Sequence, residues 1–259
     1  MIWEPRDRAP FGQLTATKKG AGDAVLFLHG VGLRAEAWAA QIDEFAREFS
    51  VAAPDMPGHG ESKPFDFEAR LADFTEQVAA AISAPTFVVG HSMGAMIALD
   101  LAFRYPDKVR AVAALNAIFQ RDTAAKAAVL GRAEAMKISH NPDAEPTLQR
   151  WFGASESPER QACHRWLTSL APHGYRTAYA VFANEDGPSE AALSALACPA
   201  LFITGSAEPN STPTMSREMA RLTPNGRAEI VDGAAHMMPM THPSAVNAAL
   251  LSFFRDVSR

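Results

Sequence analysis

The sequence predicts an α/β protein in which a mostly parallel sheet lies between two layers of helices. Short, almost wholly apolar segments alternate with segments whose apolar residues recur every three or four positions. The apolar segments lack the polar alternation of a strand with one solvated face, as expected where helices cover both faces of a parallel sheet. A stretch of about eighty residues, 119–197, contains no such segment and is predicted to be a helical insertion over one edge of the sheet.

The first half of the chain repeats a strand followed by a helix. In the first predicted helix, Trp38, Ile42, Phe45 and Phe49 fall on one face. A loop of turn residues, PGHGES, separates the second strand from the second helix. The strands are predicted at residues 24–30, 50–55 and 86–90, and the helices at 36–49, 67–82 and 93–104.

The second half begins with a strand at 109–116 and resumes with strands at 199–205 and 228–233 and a last helix at 243–256. Between them, helical patterning, prolines and aromatic residues replace the strands. The sequence shows no internal repeat or flexible linker there, so this insertion is predicted to be a packed cap. The predicted organisation is a core of residues 1–118 and 198–259 with a cap of residues 119–197.

Composition excludes several classes of function. The 259 residues carry a net charge of −5 without a basic block, which argues against nucleic-acid or anionic-membrane partners. The N-terminus, MIWEPRDRAPFG, is charged where a signal peptide is apolar, and no apolar run is long enough to span a bilayer, so a cytoplasmic protein is expected. Cys163 and Cys198 have no CxxC spacing, and no HExxH motif occurs, so neither a disulfide framework nor a metal site is expected.

A serine between two glycines marks the candidate reaction centre. Residues 90–94, Gly-His-Ser-Met-Gly, fit the pattern G-x-S-x-G, and a predicted strand leads into them while a predicted helix follows. This is the context of a nucleophile elbow, in which a strained turn presents the serine at the carboxyl end of the sheet. Ser92 is therefore the candidate nucleophile, the alternative being an ordinary helix N-cap.

Two backbone N–H groups are candidates for an oxyanion hole. The N–H of Met93 lies in the first helical turn, where it lacks an intrahelical acceptor. The loop FLHGVG, with Gly30 and Gly32 permitting the turn, can direct the N–H of Val31 to the same place. The loop fits neither a phosphate-binding nor a dinucleotide-binding motif.

A serine hydroxyl needs a base, and His236 is the candidate because it follows the last predicted strand. The base in turn needs an acid, and Glu208 lies three residues after Gly205, at the end of the preceding strand. All three side chains would then meet on one side of the sheet. The remaining histidines are expected to have structural or surface roles: His29, His59, His91, His140, His164, His173 and His242.

With these residues in view, the chain resembles the α/β-hydrolase superfamily, in its branch of small capped serine esterases and lactonases. The matching segments are LHGVG, DMPGHGES, GHSMG, TGSAEPNSTP and AAHMMPMTHP, in family order from residue 24 to the C-terminus. The resemblance implies an eight-stranded, mostly parallel sheet with a helical lid after strand six, and a catalytic triad of Ser92, Glu208 and His236. Relatives usually carry aspartate at the position of Glu208, and some take the acid from after strand six, which makes Asp122 the alternative.

The resulting prediction is a cofactor-independent hydrolase that cleaves a small carboxylic ester or lactone through an acyl-enzyme. A carbon–carbon bond hydrolase, an enol-lactone hydrolase or an amidase on the same triad remain alternatives, as does a non-catalytic ligand receptor. Three arginines of the cap could meet a substrate carboxylate, although a solvated surface position is the expectation for each: Arg121, Arg132 and Arg150. Trp38 and Trp151 are expected to be core residues.

Overall fold

A single sheet of eight strands organises the structure, a computed structural model that describes residues 3–138 and 143–259. The strand order is β1-β2-β4-β3-β5-β6-β7-β8; β2 pairs antiparallel with β1 and β4, and every other pairing is parallel. The predicted fold class is confirmed. The strands are β1 (Ala9–Phe11), β2 (Leu14–Lys19), β3 (Ala24–Leu28), β4 (Ser50–Pro54), β5 (Thr86–His91), β6 (Val109–Leu115), β7 (Ala200–Gly205) and β8 (Gly226–Val231).

Helices cover the sheet on both faces and connect most of the strands. Short 3₁₀ segments at Ala35–Trp38 and Pro106–Lys108 supplement them. The α-helices are α1 (Ala39–Phe45), α2 (Leu71–Ala81), α3 (Met93–Arg104), α4 (Thr123–Ile138), α5 (Glu145–Phe152), α6 (Pro158–Ser169), α7 (Pro172–Asn184), α8 (Glu190–Ser194), α9 (Pro213–Leu222), α10 (Met238–Thr241) and α11 (Pro243–Val257).

Alternate residues of the central strands enter two separate apolar clusters. In β3, Leu26 and Leu28 pack on the side of α2 and α3, while Val25 and Phe27 pack on the side of α1 and α11. All four are almost wholly buried. Burial on both faces explains why these strands are continuous apolar runs in the sequence.

Strands β1 and β2 had no counterpart among the predicted strands, and several helices differ from the sequence prediction. The helix expected at 36–49 is a 3₁₀ turn followed by the shorter α1. The helix expected from residue 67 begins at Leu71, because the Asp73 carboxylate accepts the Arg70 N–H at 2.6 Å and caps the helix there. Phe67 lies before this start and is half-exposed. Helix α9 was not predicted from the spacing of apolar residues. It begins at Pro213, after the capping residue Thr212.

Helices α4 to α8 all lie between β6 and β7, and the described part of this stretch contains no strand. Leu148 and Trp166 of these helices share a third apolar cluster with Leu33, which follows β3, and Met237, which follows β8. Helices α4 to α7, which all contribute to this cluster, therefore pack over the carboxyl ends of the strands, whereas Leu193 of α8 belongs to the cluster on the side of α2 and α3. Within residues 3–138 and 143–259, no helix combines the length and apolar character needed to cross a membrane.

The turn between β5 and α3 is closed by two glycines that leave no room for a side chain. A Cβ on Gly90 would lie 2.0 Å from the carbonyl oxygen of Gly94, and a Cβ on Gly94 would lie 2.1 Å from the carbonyl oxygen of Leu28. These neighbours are backbone atoms, which cannot rotate away. The approach of α3 to β3 and β5 therefore requires glycine at both positions.

We predict that Gly90→Ala destabilises the protein by at least about 3 kcal/mol, because a methyl group placed against backbone forces the strand and helix apart. Gly131→Ala is the matched control, since a Cβ on this α4 glycine would meet nothing within 4 Å. That change is expected to be neutral or to stabilise by about 0.5–1 kcal/mol. Urea unfolding followed by circular dichroism measures both values, and equal stability of the two variants would contradict the close contact.

Candidate active site

Ser92 lies at the sharp turn between β5 and α3 with a backbone conformation that is rare outside glycine. Its φ is 56° and its ψ is −119°, and its N–H donates to the carbonyl of Leu115 at 2.9 Å. Although Ser92 occupies the N-cap position of α3, its hydroxyl makes no capping hydrogen bond. The strained turn instead presents the hydroxyl to a pocket above the sheet.

The two backbone N–H groups named in the sequence lie beside this serine. Among the described residues, none accepts a hydrogen bond from the N–H of Val31 or of Met93. The Val31 loop is fixed by its neighbour, since the Gly32 N–H donates to Nε2 of His59 at 3.0 Å. Val31 and Ser92 line the same pocket, and Met93 begins α3, whose dipole favours a negative charge at that end.

His236 follows β8, and Glu208 follows β7, as the sequence indicated. Nδ1 of His236 donates to Oε2 of Glu208 at 3.0 Å. The other carboxylate oxygen, Oε1, accepts the N–H groups of Asn210 at 2.8 Å and Ser211 at 3.3 Å. These three donors satisfy a carboxylate that is almost completely buried.

Opposing effects act on the carboxyl of Glu208. Burial alone would raise its pKa, but the charge of His236 and the hydrogen bonds from His236, Asn210 and Ser211 lower the pKa to about 2. Glu208 is therefore a carboxylate at neutral pH. Because Nδ1 of His236 carries the shared proton, Nε2 is the nitrogen that is free to accept one.

Ser92, His236 and Asp122 all line one pocket, but the carboxylate that is hydrogen-bonded to the imidazole is that of Glu208. Oδ1 of Asp122 accepts the N–H of Ala125 at 2.7 Å at the start of α4, and the side chain is exposed. The structure thus brings Glu208, and not Asp122, to His236. Within the described chain, the Ser92 hydroxyl and the His236 ring are not hydrogen-bonded to one another, which is common when no substrate is bound.

Two side chains that the sequence analysis did not assign to the site hold the backbone of His236. Nδ2 of Asn116 and Nε2 of His91 each donate to the His236 carbonyl at 2.7 Å. Asn116 directly follows β6 with a φ of 49°, a conformation that asparagine tolerates better than most residues. The sequence signal that could have identified Asn116 as a site residue is its position immediately after a predicted strand.

The other histidines contact backbone or lie away from the pocket. Burial lowers the pKa of His29 to about 4 and, with the neighbouring His29, the pKa of His59 to about 3. Burial and the charge of His236 lower the pKa of His91 to about 3, so all three are neutral. His164 and His242 are at the surface or half-buried, His173 contacts the carbonyl of Phe65, and His140 lies outside the described residues.

The pocket above Ser92 has a volume of about 250 Å³ and is roofed by aromatic residues of α5 and α7. Trp151 of α5 stacks on the His236 ring with a centroid distance of 5.9 Å and an interplanar angle of 21°. The expectation that Trp151 is a core residue was therefore wrong, whereas Trp38 is buried as expected. No cluster of three or more metal-ligating side chains occurs among residues 3–138 and 143–259.

The three cap arginines also line this pocket, contrary to the expected solvated positions. The Arg121 guanidinium is buried, donates to the carbonyls of Phe182 and Glu185, and pairs with Asp186 at 3.3 Å. Arg132 and Arg150 are half-buried and point to the same space. The sequence shows which face of a helix a residue occupies, but whether that face lines a pocket or meets solvent depends on how the helices pack together.

Comparison with known proteins finds similar chains among hydrolases. A model of the alpha/beta hydrolase family matches residues 25–249. An (E)-2-((N-methylformamido)methylene)succinate hydrolase of Acinetobacter baylyi is 40% identical over 240 residues, covering 90% of each chain. A pimeloyl-[acyl-carrier protein] methyl ester esterase of Neisseria meningitidis is 28% identical and covers 93% of this chain and 98% of its own. A malate-bound esterase of Thermogutta terrifontis superposes with a TM-score of 0.85 at 25% identity, covering 97% and 99% of the two chains.

We predict that Glu208→Gln lowers the free energy of unfolding by about 3 kcal/mol near pH 7, and by much less near pH 3. The folded-state pKa of Glu208 is about 2, below the ordinary 4.5. Its stabilising contribution is therefore complete above pH 4.5 and is lost as the pH falls toward 2. Urea unfolding of both proteins at the two pH values measures the change.

Asp122→Asn is the control for this experiment, because asparagine can retain the cap at Ala125 and the side chain is exposed. Its stability is expected to follow the wild type within about 0.5 kcal/mol at both pH values. If the deficit of Glu208→Gln were the same at pH 3 and pH 7, the lowered pKa of Glu208 would be refuted.

Proposed function

The chain belongs to the alpha/beta hydrolase family, and on this basis we propose that it hydrolyses a small carboxylic ester or lactone through a covalent acyl-enzyme. One observation supports the proposal above all. The strained turn presents the Ser92 hydroxyl to the same pocket as an imidazole whose other nitrogen is hydrogen-bonded to a buried carboxylate. This arrangement combines a nucleophile, a base and an acid.

In the proposed mechanism, Nε2 of His236 removes the hydroxyl proton while Ser92 Oγ attacks the carbonyl carbon. The imidazolium is stabilised by the Glu208 carboxylate, and its proton passes to the leaving alcohol oxygen as the carbon–oxygen bond breaks. Water then attacks the acyl-serine, with His236 again acting as the base. The products are an alcohol and a carboxylic acid, and the serine is regenerated.

The N–H groups of Val31 and Met93 are proposed to bind the oxyanion of each tetrahedral intermediate. They have no acceptor in the described part of the chain and lie beside Ser92. A preorganised donor of this kind contributes about 3–4 kcal/mol to transition-state stabilisation. Since both donors are backbone groups, the side chain of the serine provides the cleaner test.

We also propose that residues 119–197 act as a cap that determines substrate choice, over a core formed by residues 1–118 and 198–259. Helices α4, α5 and α7 contribute half of the residues that line the pocket, while the core contributes the reacting groups. A pocket of about 250 Å³ accommodates a compact acyl compound.

A second candidate is hydrolysis of an amide-type linkage in a substituted methylenesuccinate. The relative with 40% identity is named for such a compound, and the similarity extends over 90% of both chains. The same triad could attack the carbonyl of its formamido group. A panel containing that compound, an aryl ester and a lactone discriminates between the candidates by their relative kcat/KM.

We predict that Ser92→Ala lowers turnover of 4-nitrophenyl acetate by about 10⁴-fold or more, because the nucleophile is lost while the pocket is retained. Circular dichroism should be unchanged, and labelling by a fluorophosphonate should disappear. Ser155→Ala, at an exposed position, is the matched control and should retain both activity and labelling. Wild-type turnover in folded Ser92→Ala would rule out this mechanism.

We further predict that Glu208→Gln lowers kcat/KM by about 10³-fold or more, because an amide can neither stabilise the imidazolium nor enforce the required tautomer. Asp122→Asn should reduce it less than about threefold. The measurement is the steady-state hydrolysis of the same ester at pH 7. The opposite ranking would assign the acid to Asp122.

A further inference from the structure

Two arginines of the cap face the reaction centre and have no acidic partner among residues 3–138 and 143–259. Arg132 projects from α4 and Arg150 from α5, and both line the pocket that contains Ser92 and His236. Their hydrogen bonds are to neutral groups. Nε of Arg132 donates to the Tyr179 hydroxyl at 2.9 Å, and Nη2 of Arg150 donates to the Thr147 hydroxyl at 2.8 Å.

No ion pair in the described part of the chain involves either of these guanidinium groups. Burial lowers the pKa of Arg150, and the neighbouring charge of Arg132 lowers it further. The two cations are thus close enough to repel one another in a partly desolvated pocket. Such an arrangement is unfavourable until an anion enters.

Arg121 provides an internal comparison at the same pocket. Its guanidinium donates to two backbone carbonyls and pairs with Asp186, which Lys126 also contacts, so Arg121 has an acidic partner within the protein. Asp122, an acidic residue of the lining, accepts the N–H of Ala125 and contacts neither Arg132 nor Arg150 through a hydrogen bond or ion pair. Uncompensated positive charge therefore remains on Arg132 and Arg150.

We propose that Arg132 and Arg150 each bind a carboxylate, so that the substrate is an acyl compound with two carboxylate groups. A guanidinium binds a carboxylate through two parallel hydrogen bonds, and two bound carboxylates neutralise both cations. This inference rests on the proposed hydrolase function, whose substrate it specifies.

Helix α5 connects the anion site to the base. Arg150 and Trp151 are consecutive, and Trp151 stacks on His236. The helix is fixed at its start by an ion pair between Glu145 and Arg160. A carboxylate held by Arg150 is consequently held at a defined distance from the imidazole, which orients the acyl carbonyl toward Ser92.

Direct binding of acids tests this inference separately from catalysis. Isothermal titration calorimetry with succinate and propionate compares a dicarboxylate with a monocarboxylate of similar size. Wild-type protein should bind succinate at least about tenfold more tightly. Arg132→Met and Arg150→Met should each weaken succinate binding by about 10- to 100-fold, the range for a lost charge-assisted contact.

Arg165→Met, on the exposed surface of α6, is the matched control and should alter neither succinate binding nor ester hydrolysis. Should a methionine variant fail to fold, Arg132→Lys and Arg150→Lys keep the charge but lose the paired hydrogen bonds, and should weaken succinate binding by a smaller factor. Equal affinity for the two acids, or succinate binding unaffected by all four changes, would overturn the inference.

The two proposals fail in different ways. If wild-type protein hydrolyses esters at Ser92 but does not prefer succinate, the dicarboxylate site is refuted and the hydrolase function stands. If succinate binds through Arg132 and Arg150 while no ester, lactone or amide is cleaved and Ser92 is not labelled, the anion site stands and the hydrolase function is refuted.

Discussion

The close contact of backbone at the start of α3 is the constraint on which the site depends. Gly90 and Gly94 allow β5, α3 and the end of β3 to approach within a distance that excludes any Cβ. The chain can make this contact only by turning sharply at Ser92, which accounts for its positive φ. The same turn leaves the Met93 N–H free at the positive end of a helix. Packing of the core thus produces the geometry that the proposed chemistry requires.

Buried polar contacts then hold two separate loops at one edge of the sheet, the His236 loop and the loop after β3. Asn116, after β6, and His91, at the end of β5, both bind the backbone of the His236 loop. His59 binds the backbone of the loop after β3. The two histidines are neutral because burial lowers their pKa values to about 3. Neutral donors and acceptors satisfy the loop backbone without placing a further charge beside the Glu208–His236 pair.

The features predicted best from the sequence are those that depend on residues close together in the chain, such as buried strands and the residues that follow them. Strands β3 to β7 were recognisable because burial in the middle of the sheet requires apolar runs, whereas β2 ends in two exposed lysines, Lys18 and Lys19, and did not show this pattern. Glu208 could be placed near His236 because both follow parallel strands that end at the same edge. The pocket-facing positions of Trp151, Arg132 and Arg150 depend on how the cap helices pack over the sheet, and no residue pattern within one helix contains that information.

The charge of the pocket contrasts with that of the whole protein. Acidic residues number 29 against 24 lysines and arginines, so a shortage of carboxylates does not explain why Arg132 and Arg150 have no acidic partner in the described part of the chain. Pairing them with protein carboxylates, as Asp186 pairs with Arg121, would stabilise the folded cap. Because Arg132 and Arg150 are not paired with protein carboxylates, their guanidinium groups can form ion pairs with a bound ligand. Because the guanidinium groups lie on the cap and the nucleophile lies on the core, the free energy of binding the anion can fix the reacting carbonyl relative to Ser92, which is how remote contacts accelerate a reaction.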